Sequence, residues 1–421
     1  MQELGRRQFL GLGAGMLLAP PATVEAQSHR VGVGVNPDPY VATWRAVAAA
    51  GTWRFLGIAG RRVVIKPNVV SRSTPDTGIV TDPEVVRAVV DLALLSGAEE
   101  ILIVETAPRM GENFTTAGYG FFESYDPRVS LVDLFQEPFS LAPVPGGYNY
   151  GAIHIPDLLV DPNIVFISVG KLKTHYHSDV SLTTKNLFGL PAREKYISFP
   201  DWGRFAMHDR GVQMSIHDLA RIRPIHFAVI DGIWGMEGDG PLLGTPVRMD
   251  TVLAGLNAVA VDRVGLFAMS IPQTGVRHLY YQSSAGLGPA GLGEIRVVGD
   301  ALSPRAFVRP QTAPVVDPPF IFPKMFQPDT GAQANIVHRY SEDCWRRVEV
   351  VRLSDDVADV ERVRSLAPYG HKAAGLDYLI WDGRDDEGSL VPPGRYAIHI
   401  TAFSLTAEVR PSDAISWVTV Q

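Results

Sequence analysis

The chain carries the apolar run Arg-Val-Val-Ile-Lys at residues 62–66 and a second run, Ile-Leu-Ile-Val, at residues 101–104. Between them, Thr-Asp-Pro-Glu at residues 81–84 has the features of a helix start: a capping side chain, an early proline and an acid in the first turn. Gly97 ends this helix just before the second run. Strand, helix and strand in this order predict one βαβ unit with two parallel strands.

The same alternation of strand and helix continues beyond this unit. Buried-strand patterns recur at residues 164–169 and 226–230, and a helical pattern covers residues 258–269. Alternation of this kind is typical of an α/β fold. We therefore predict, over residues 30–302, a mostly parallel sheet with helices on both faces.

The composition changes after this domain. Residues 303–333 are rich in proline, which predicts a linker that runs over the surface. Residues 334–421 then show short strand patterns separated by turns. A segment of this length and texture predicts a small all-β sandwich.

One part of this C-terminal segment has a recognisable pattern. Trp-Asp-Gly-Arg-Asp-Asp-Glu-Gly at residues 381–388 is followed by Pro-Gly-Arg-Tyr at residues 393–396. The two stretches resemble the immunoglobulin-like domain of flagellar hook-capping proteins. We expect Trp381 and Tyr396 to fill the core of the sandwich. The acidic residues fit solvated hairpin turns better than a calcium loop, because the EF-hand spacing is absent.

The N-terminus has the pattern of an export signal. A pair of arginines at residues 6–7 is followed by an apolar, glycine-rich run that extends to Leu18 and is too short to anchor the chain in a bilayer. We therefore predict that residues 1–26 are a twin-arginine signal peptide, cleaved after Ala26. The folded mature chain would pass through the twin-arginine translocase to the periplasm or cell exterior, with no permanent membrane span. The alternative is an N-terminal core helix with two surface arginines.

The composition also limits the classes of function. The net charge is −7 and the pI is about 5.9, which gives no indication of nucleic-acid binding. Cys344 is the single cysteine, so an intrachain disulfide, a cysteine-bound iron–sulfur cluster and a zinc–thiolate site are excluded. No serine-hydrolase elbow, Walker A loop or dinucleotide fingerprint occurs outside the leader. A serine hydrolase, a kinase and a Rossmann dehydrogenase are therefore not indicated.

Polar residues follow four of the predicted strands, at the point where each strand ends. The carboxyl ends of parallel strands meet at one edge of a sheet, where α/β proteins bind their ligands. We therefore expect these polar segments to lie together. They are Lys66-Pro67-Asn68, Glu105-Thr106, residues 170–177 with residues 183–189, and residues 231–241.

These segments, in this order, resemble the family known as domain of unknown function 362. The resemblance covers about residues 60–295 and rests on Lys-Pro-Asn at 66–68, Thr-Asp-Pro at 81–83, Lys-x-Lys-Thr-His at 171–175, Lys-Asn at 185–186 with Gly189, residues 231–232 and 236–241, residues 255–262 and Gly-Leu-Gly at 291–293. Many relatives carry ferredoxin-like cysteine motifs beside this domain. Their iron–sulfur clusters are not expected in this chain, because the motifs are missing. The chemistry of the family is largely unassigned.

An anionic small molecule is the ligand that these residues fit. Lysines at strand ends bring positive charge to one rim, and the backbone N–H groups of a glycine-rich segment can hold an anion. The alternative is that each lysine stays solvated. The predicted ligand-binding residues are Lys66, Asn68, Lys171, Lys185, Asn186, Asp231 and Gly238.

Proton transfer is the chemistry that we expect at this edge. His175 is best placed for it by position, because imidazole titrates near neutral pH. Lys173 and Glu237 complete the predicted catalytic group. A divalent metal would need histidine and carboxylate ligands, for which the candidates are Glu105, His175 and Asp239.

Two classes of function fit these observations. The first is an exported enzyme whose α/β domain binds an anionic small molecule and acts by acid–base chemistry, with or without a metal. The second is a non-catalytic protein, in which the same pocket holds a ligand and the C-terminal sandwich contacts envelope partners. The sequence does not indicate the substrate, the reaction class or the oligomeric state.

Overall fold

The computed structural model describes residues 29–196, 207, 211–310, 314–353, 360–405 and 411–421. The predicted signal peptide, residues 1–26, lies outside these ranges. Within them, no helix is long and apolar enough to cross a membrane.

The described residues form strands and α-helices, each numbered in chain order. The strands are β1 (Arg30–Val35), β2 (Arg62–Pro67), β3 (Glu100–Glu105), β4 (Val129–Asp133), β5 (Phe139–Pro143), β6 (Ala152–Pro156), β7 (Val165–His175), β8 (Asp179–Val180), β9 (Phe227–Glu237), β10 (Thr245–Gly255), β11 (Arg296–Gly299), β12 (Phe320–Phe322), β13 (Met325–Phe326), β14 (Ala334–Tyr340), β15 (Cys344–Leu353), β16 (Val360–Lys372), β17 (Gly375–Trp381), β18 (Gly394–Ser404) and β19 (Ser412–Val420). The α-helices are α1 (Pro39–Ala50), α2 (Pro83–Leu95), α3 (Met110–Thr116), α4 (Asp157–Val160), α5 (Arg193–Tyr196), α6 (Val212–Ile222), α7 (Ala258–Ala268) and α8 (Arg277–Ser284).

The largest sheet is mainly parallel, as predicted. Its strands lie in the order β11-β1-β10-β9-β7-β2-β3-β4, and the short strand β8 pairs with β7. Neighbours from β9 through β7, β2 and β3 to β4 are parallel, whereas β10 is antiparallel to both β9 and β1. The carboxyl ends of β2, β3, β7 and β9 therefore point to the same edge of the sheet.

The βαβ unit at the start of this domain forms where the sequence predicts it. β2 and β3 are parallel, and α2 connects them. The Asp82 side chain caps α2 by accepting from the backbone N–H of Glu84 at 2.8 Å, and Pro83 is the first helical residue. Gly97, just after the helix, has a φ of 80°, a left-handed conformation that glycine adopts without strain.

Helices cover both faces of this sheet, because alternate residues of a strand point in opposite directions. Val63 and Ile65 of β2 pack in one core cluster with Val85 and other residues of α2. Val64, between them, packs in a second cluster with Ile216 of α6. The apolar run that predicts β2 is continuous because both of its faces are buried.

The C-terminal region consists of further, mainly antiparallel sheets. One has the order β12-β14-β17 and the other the order β13-β19-β18-β15-β16. Trp381 and Tyr396 are buried between them as expected, with ring centroids 5.3 Å apart. The immunoglobulin-like arrangement and the domain boundaries stay predictions.

One segment differs from its predicted character. Residues 303–333 read as a linker, but β12 and β13 lie within them and pair with β14 and β19. The prolines that flank these two strands are compatible only with short or edge strands, and they hide the strand pattern in the sequence.

Candidate functional site

A cavity of about 170 Å³ lies at the edge of the largest sheet, where β2, β3 and β7 end. The structure brings a group of the predicted site residues together around it: Lys66, Asn68, Glu105, Lys173, His175, Lys185 and Asn186. The rest of the wall consists of residues that the site prediction did not include: Val70, Thr106, Ser181, Phe188, Gly189, Pro241 and Leu242.

Lys66 and Glu105 form a buried ion pair at the ends of β2 and β3. Lys66 Nζ donates to Glu105 Oε2 at 2.8 Å, to Asn186 Oδ1 at 3.1 Å and to the backbone oxygen of Pro67 at 3.1 Å. The Glu105 carboxylate also accepts from two backbone N–H groups, at 3.0 and 2.9 Å. Both side chains are 1% exposed. Because Lys66 has three acceptors within the protein, its charge is balanced before any ligand enters.

Lys171 is also paired, and it is not among the residues that line the cavity. Its Nζ lies 2.7 Å from Asp231 Oδ2, and both side chains are 0% exposed. Asp231 also accepts from the backbone N–H groups of Asp82 at 2.8 Å and of Ile233 at 2.9 Å. Burial, together with the negative charge of Asp231, raises the pKa of Asp82 to about 6. The geometry thus gives Lys171 and Asp231 a structural contact between β7, β9 and the start of α2, instead of the predicted ligand contact.

Lys173, two residues further along β7, lines the cavity and has different hydrogen-bond partners from Lys171. Its Nζ donates to the backbone oxygen of Ile79 at 2.6 Å and lies 3.5 Å from that of Pro241. Among the described residues, no carboxylate lies within ion-pair distance of it. Burial, and then the positive charges of Lys171 and Lys185, lower its pKa well below the usual value for lysine. A fully buried amine of this kind is held toward its neutral form.

His175 ends β7 and lies on the same side of the strand as Lys173, since it follows at an interval of two. The backbone N–H of His177 donates to His175 Nδ1 at 3.0 Å. A backbone N–H can only donate, so Nδ1 is an acceptor and the neutral ring carries its proton on Nε2. His175 is therefore set up as a hydrogen-bond donor, whereas the sequence predicted that it moves a proton.

Two polar atoms of the wall have no hydrogen-bond partner within the described part of the protein. They are Asn68 Oδ1 and Thr106 Oγ1, and both are buried. A buried polar atom left without a partner costs about 1–3 kcal/mol. The amide nitrogen of Asn68 makes one long contact, 3.4 Å to Asn186 Oδ1. The wall thus holds hydrogen-bonding capacity that a ligand or a water molecule can use.

The loop that supplies Lys185 and Asn186 is anchored by Asp262 of α7. Asp262 Oδ1 accepts from the backbone N–H of Thr183 at 2.8 Å, and Oδ2 accepts from that of Thr184 at 2.9 Å. The hydroxyl groups of both threonines donate to the same carboxylate. Burial raises the pKa of Asp262 to about 6, against these hydrogen bonds. Asp262 therefore fixes the position of the loop relative to α7.

Past this anchor, a 3₁₀ helix spans Lys185–Gly189 at the mouth of the cavity. Lys185 is half-buried, and its Nζ lies 4.2 Å from the centre of the Phe188 ring. Asn186 is buried, and its amide donates to the backbone oxygen of Lys66 at 2.8 Å. Lys185 is thus the lysine of this edge that reaches partly into solvent while it lines the cavity.

The glycine-rich segment at the end of β9 does not line the cavity with its predicted site residues Glu237, Gly238 and Asp239. Glu237 Oε2 accepts from the backbone N–H of Val308 at 2.9 Å, and the backbone N–H of Gly238 donates to the backbone oxygen of Val308 at 2.7 Å. Asp239 is exposed. The sequence placed these residues at the correct strand end, but the chain turns there to hold the segment around Val308.

The predicted metal ligands are not assembled as a group. Among the described residues, no three histidine, cysteine or acidic side chains lie where they could hold a metal ion. Glu105 is committed to Lys66, and Asp239 lies outside the cavity wall. His208, a further donor in the sequence, lies outside the described residues. Metal binding stays a prediction.

Several wall residues escaped the sequence prediction for identifiable reasons. Thr106 directly follows Glu105, so the strand-end argument that selected Glu105 also applies to Thr106. Phe188 and Gly189 lie in the same segment as Lys185, but apolar and glycine residues give no chemical signal. A Cβ on Gly189 would lie 2.7 Å from Lys66 Cε and 2.8 Å from Glu105 Oε1, so only glycine fits beside this ion pair.

The fold and the site together define an α/β domain with a lysine-containing cavity at the carboxyl edge of a mainly parallel sheet. Residues 63–267 match the profile of the family described as Domain of unknown function (DUF362). The resemblance inferred from the sequence is therefore confirmed over these residues. Residues 63–267 thus resemble a family whose function is uncharacterised.

Comparison with individual proteins adds one relative. The chain is 26% identical over 234 residues to a protein of Synechocystis sp. described as thylakoid-associated. The aligned region covers 55% of this chain and 70% of the relative. Among solved structures, a β-glucosidase from Erythrobacter marinus aligns with 93% of this chain and 49% of its own length, at 10% identity and a TM-score of 0.17. The chain thus spans about half of the glucosidase, and a similarity this low carries no inference about fold or activity.

Proposed function

We propose that the cavity binds a small carboxylate-containing molecule and that Lys173 accepts a proton from it. The observation that carries the proposal is the contrast among the buried lysines at this edge. Lys66 and Lys171 each have a carboxylate within 2.8 Å, whereas the acceptors of Lys173 among the described residues are backbone oxygens. A general base must be in its unprotonated form at working pH, and burial without a counter-ion favours that form of lysine.

The binding half of the proposal rests on the wall opposite the paired residues. Lys185 supplies positive charge at the mouth. Thr106 supplies a buried hydroxyl with unused hydrogen-bonding capacity, and the amide nitrogen of Asn68, whose contact to Asn186 Oδ1 is long at 3.4 Å, supplies N–H groups. A carboxylate accepts from a lysine, an amide N–H and a hydroxyl, which are the donors present in this wall. A volume of about 170 Å³ accommodates a ligand of a few carbon atoms.

His175 completes the proposed chemistry as a neutral donor. Removal of a proton next to a carbonyl group places negative charge on the carbonyl oxygen. A neutral imidazole that donates from Nε2 stabilises such an oxygen, provided that its other nitrogen is already engaged. The hydrogen bond from His177 to His175 Nδ1 meets that condition. Glu105 holds Lys66 in place at 2.8 Å, and Asp231 holds Lys171 at 2.7 Å.

Location belongs to the same proposal. We propose that residues 1–26 direct the folded chain through the twin-arginine translocase, and that the C-terminal sheets form an immunoglobulin-like module that follows the α/β domain. The arginine pair at residues 6–7 and the apolar run after it support export. The description of the Synechocystis relative as thylakoid-associated is compatible with a place at a membrane system.

Proton exchange in deuterated buffer tests the proposed activity across a set of candidate substrates. Short carboxylic acids with protons next to a carbonyl group, pyruvate and oxaloacetate among them, would be followed by NMR with the full mature chain. The parent protein is expected to catalyse exchange, and Lys173→Met to lose it by at least about 100-fold, the usual contribution of a general base. Lys324→Met, at an exposed position in the C-terminal region, is the control that should keep full activity.

Binding is measured on the same samples by the shift of the thermal unfolding midpoint. A shift of the thermal midpoint of the parent protein without any proton exchange would indicate a non-catalytic binding protein instead of an enzyme. Neither shift nor exchange with any of these acids would overturn the proposed function.

A further inference from the structure

Lys173 has the features of a nucleophile as well as those of a base. An unprotonated amine has a lone pair, and a lysine in a buried site without a carboxylate partner is the type that attacks carbonyl carbon atoms. The side chain of Lys173 is buried, and Lys173 is one of the residues that line the cavity. A ligand inside the cavity would therefore lie next to this residue.

We propose that Lys173 forms a reversible imine with the carbonyl carbon of a short 2-oxo acid. This inference rests on the proposed function, because the cavity must hold the carboxylate of the same molecule. A 2-oxo acid combines the two groups that the wall addresses: a carboxylate for Lys185, Asn68 and Thr106, and an adjacent ketone or aldehyde for the amine. Its size also fits a cavity of about 170 Å³.

The hydrogen bonds of Lys173 suit both ends of this reaction. The neutral amine has two N–H groups, and the two backbone oxygens at 2.6 and 3.5 Å are acceptors for them. A protonated imine has one N–H group. It can keep the short hydrogen bond to the backbone oxygen of Ile79 and give up the long contact to that of Pro241. The N–H group of the imine therefore still has a hydrogen-bond acceptor.

Imine formation by Lys173 releases one molecule of water. The lone pair of Lys173 Nζ forms a bond to the carbonyl carbon, and the nitrogen passes one proton to the former carbonyl oxygen, which gives a carbinolamine. The hydroxyl group takes one further proton from solvent and leaves as water, and the C–N bond becomes the protonated imine. No oxidant or reductant takes part. His175, as a donor from Nε2, stabilises the oxygen while it carries negative charge.

Reductive trapping tests the inference on the parent protein. The folded mature chain would be incubated with cyanoborohydride and, in separate samples, glyoxylate, pyruvate or 2-oxobutanoate, and the modified residue located by peptide mass spectrometry. We expect one adduct per chain, on Lys173, with at least one of the three acids. Absence of an adduct on Lys173 with all three, or adducts only on exposed lysines such as Lys195 and Lys324, would overturn the inference.

Oxalate separates this inference from the proposed function. It has two carboxylate groups and no ketone or aldehyde, so it can occupy the cavity but cannot form the imine. If oxalate raises the thermal midpoint and no acid is trapped on Lys173, the imine is wrong and the carboxylate site stands. If oxalate competes with trapping, both stand. Mapping of the parent protein does not depend on the folding of any variant, and Lys173→Arg serves as a second check that keeps a long basic side chain without a reactive amine.

Discussion

Lys171 and Lys173 lie two residues apart on one strand and are buried to the same degree, yet their surroundings differ. Lys171 faces Asp231 at 2.7 Å, within a layer of contacts that joins two strands and a helix start. Lys173 faces a cavity and two backbone oxygens. The difference shows that burial alone does not distinguish the two lysines. What separates them is whether the described part of the protein supplies a counter-ion.

The largest effect on stability is expected from the loss of the Lys171–Asp231 ion pair. Lys171→Met leaves Asp231 buried without its counter-ion, and loss of one partner of a buried ion pair costs about 3–5 kcal/mol. Chemical denaturation should show this decrease in the free energy of unfolding.

Lys324→Met is the control for loss of a lysine charge, since Lys324 is exposed. Surface substitutions of this type usually change stability by less than about 0.5 kcal/mol. A loss below about 1 kcal/mol at Lys171→Met would mean that the Lys171–Asp231 pair contributes no more than a surface pair.

A smaller effect is expected where the other ion pair meets the cavity wall. Gly189→Ala would place a methyl group within 3 Å of both Lys66 and Glu105, which are fixed by each other. Overpacking of this kind costs about 1–3 kcal/mol. Gly111→Ala is the matched control, because a Cβ there meets nothing within 4 Å. Equal stability of the two variants would show that the Lys66–Glu105 pair can move aside, and the prediction would be wrong.

The last test concerns the unpaired lysine, Lys173, and the dependence of stability on pH. The pKa of Lys173 is lowered in the folded protein, so between that pKa and the unfolded value of about 10.4 the unfolded chain binds more protons. The stability of the parent protein relative to Lys173→Met should therefore rise with pH in this window, by up to about 1.4 kcal/mol per pH unit. Below the folded pKa the difference should be constant.

Denaturation curves of the parent protein and Lys173→Met, recorded at several pH values from neutral to about 10, measure this slope. A difference between the two proteins that stays flat over the whole range would show that Lys173 is charged in the folded state. Both the proposed base and the proposed imine would then be wrong, because each needs an unprotonated Lys173.

Much of the fold was predictable because local patterns encode it. The strands at residues 62–66 and 101–104, the capped helix between them and the parallel sheet follow from apolar periodicity and helix-start residues. β12 and β13 were not predicted, since short strands next to Pro319 and Pro323 gain their pairing from β14 and β19, which lie further along the chain.

For the site, the sequence by itself determined the place and the residue types. Four polar segments had to meet at one sheet edge because parallel strands end there, and lysines, a histidine and acids had to be among them. Only the tertiary structure decided which lysine is paired. Lys66, Lys171 and Lys173 are alike in sequence. The distances to Glu105 and Asp231, set by how β2, β3, β7 and β9 lie side by side, leave Lys173 without a carboxylate partner among the residues that the structure describes. Ion pairing depends on separations of a few ångströms between side chains that are 39 and 60 residues apart, and no local pattern records them.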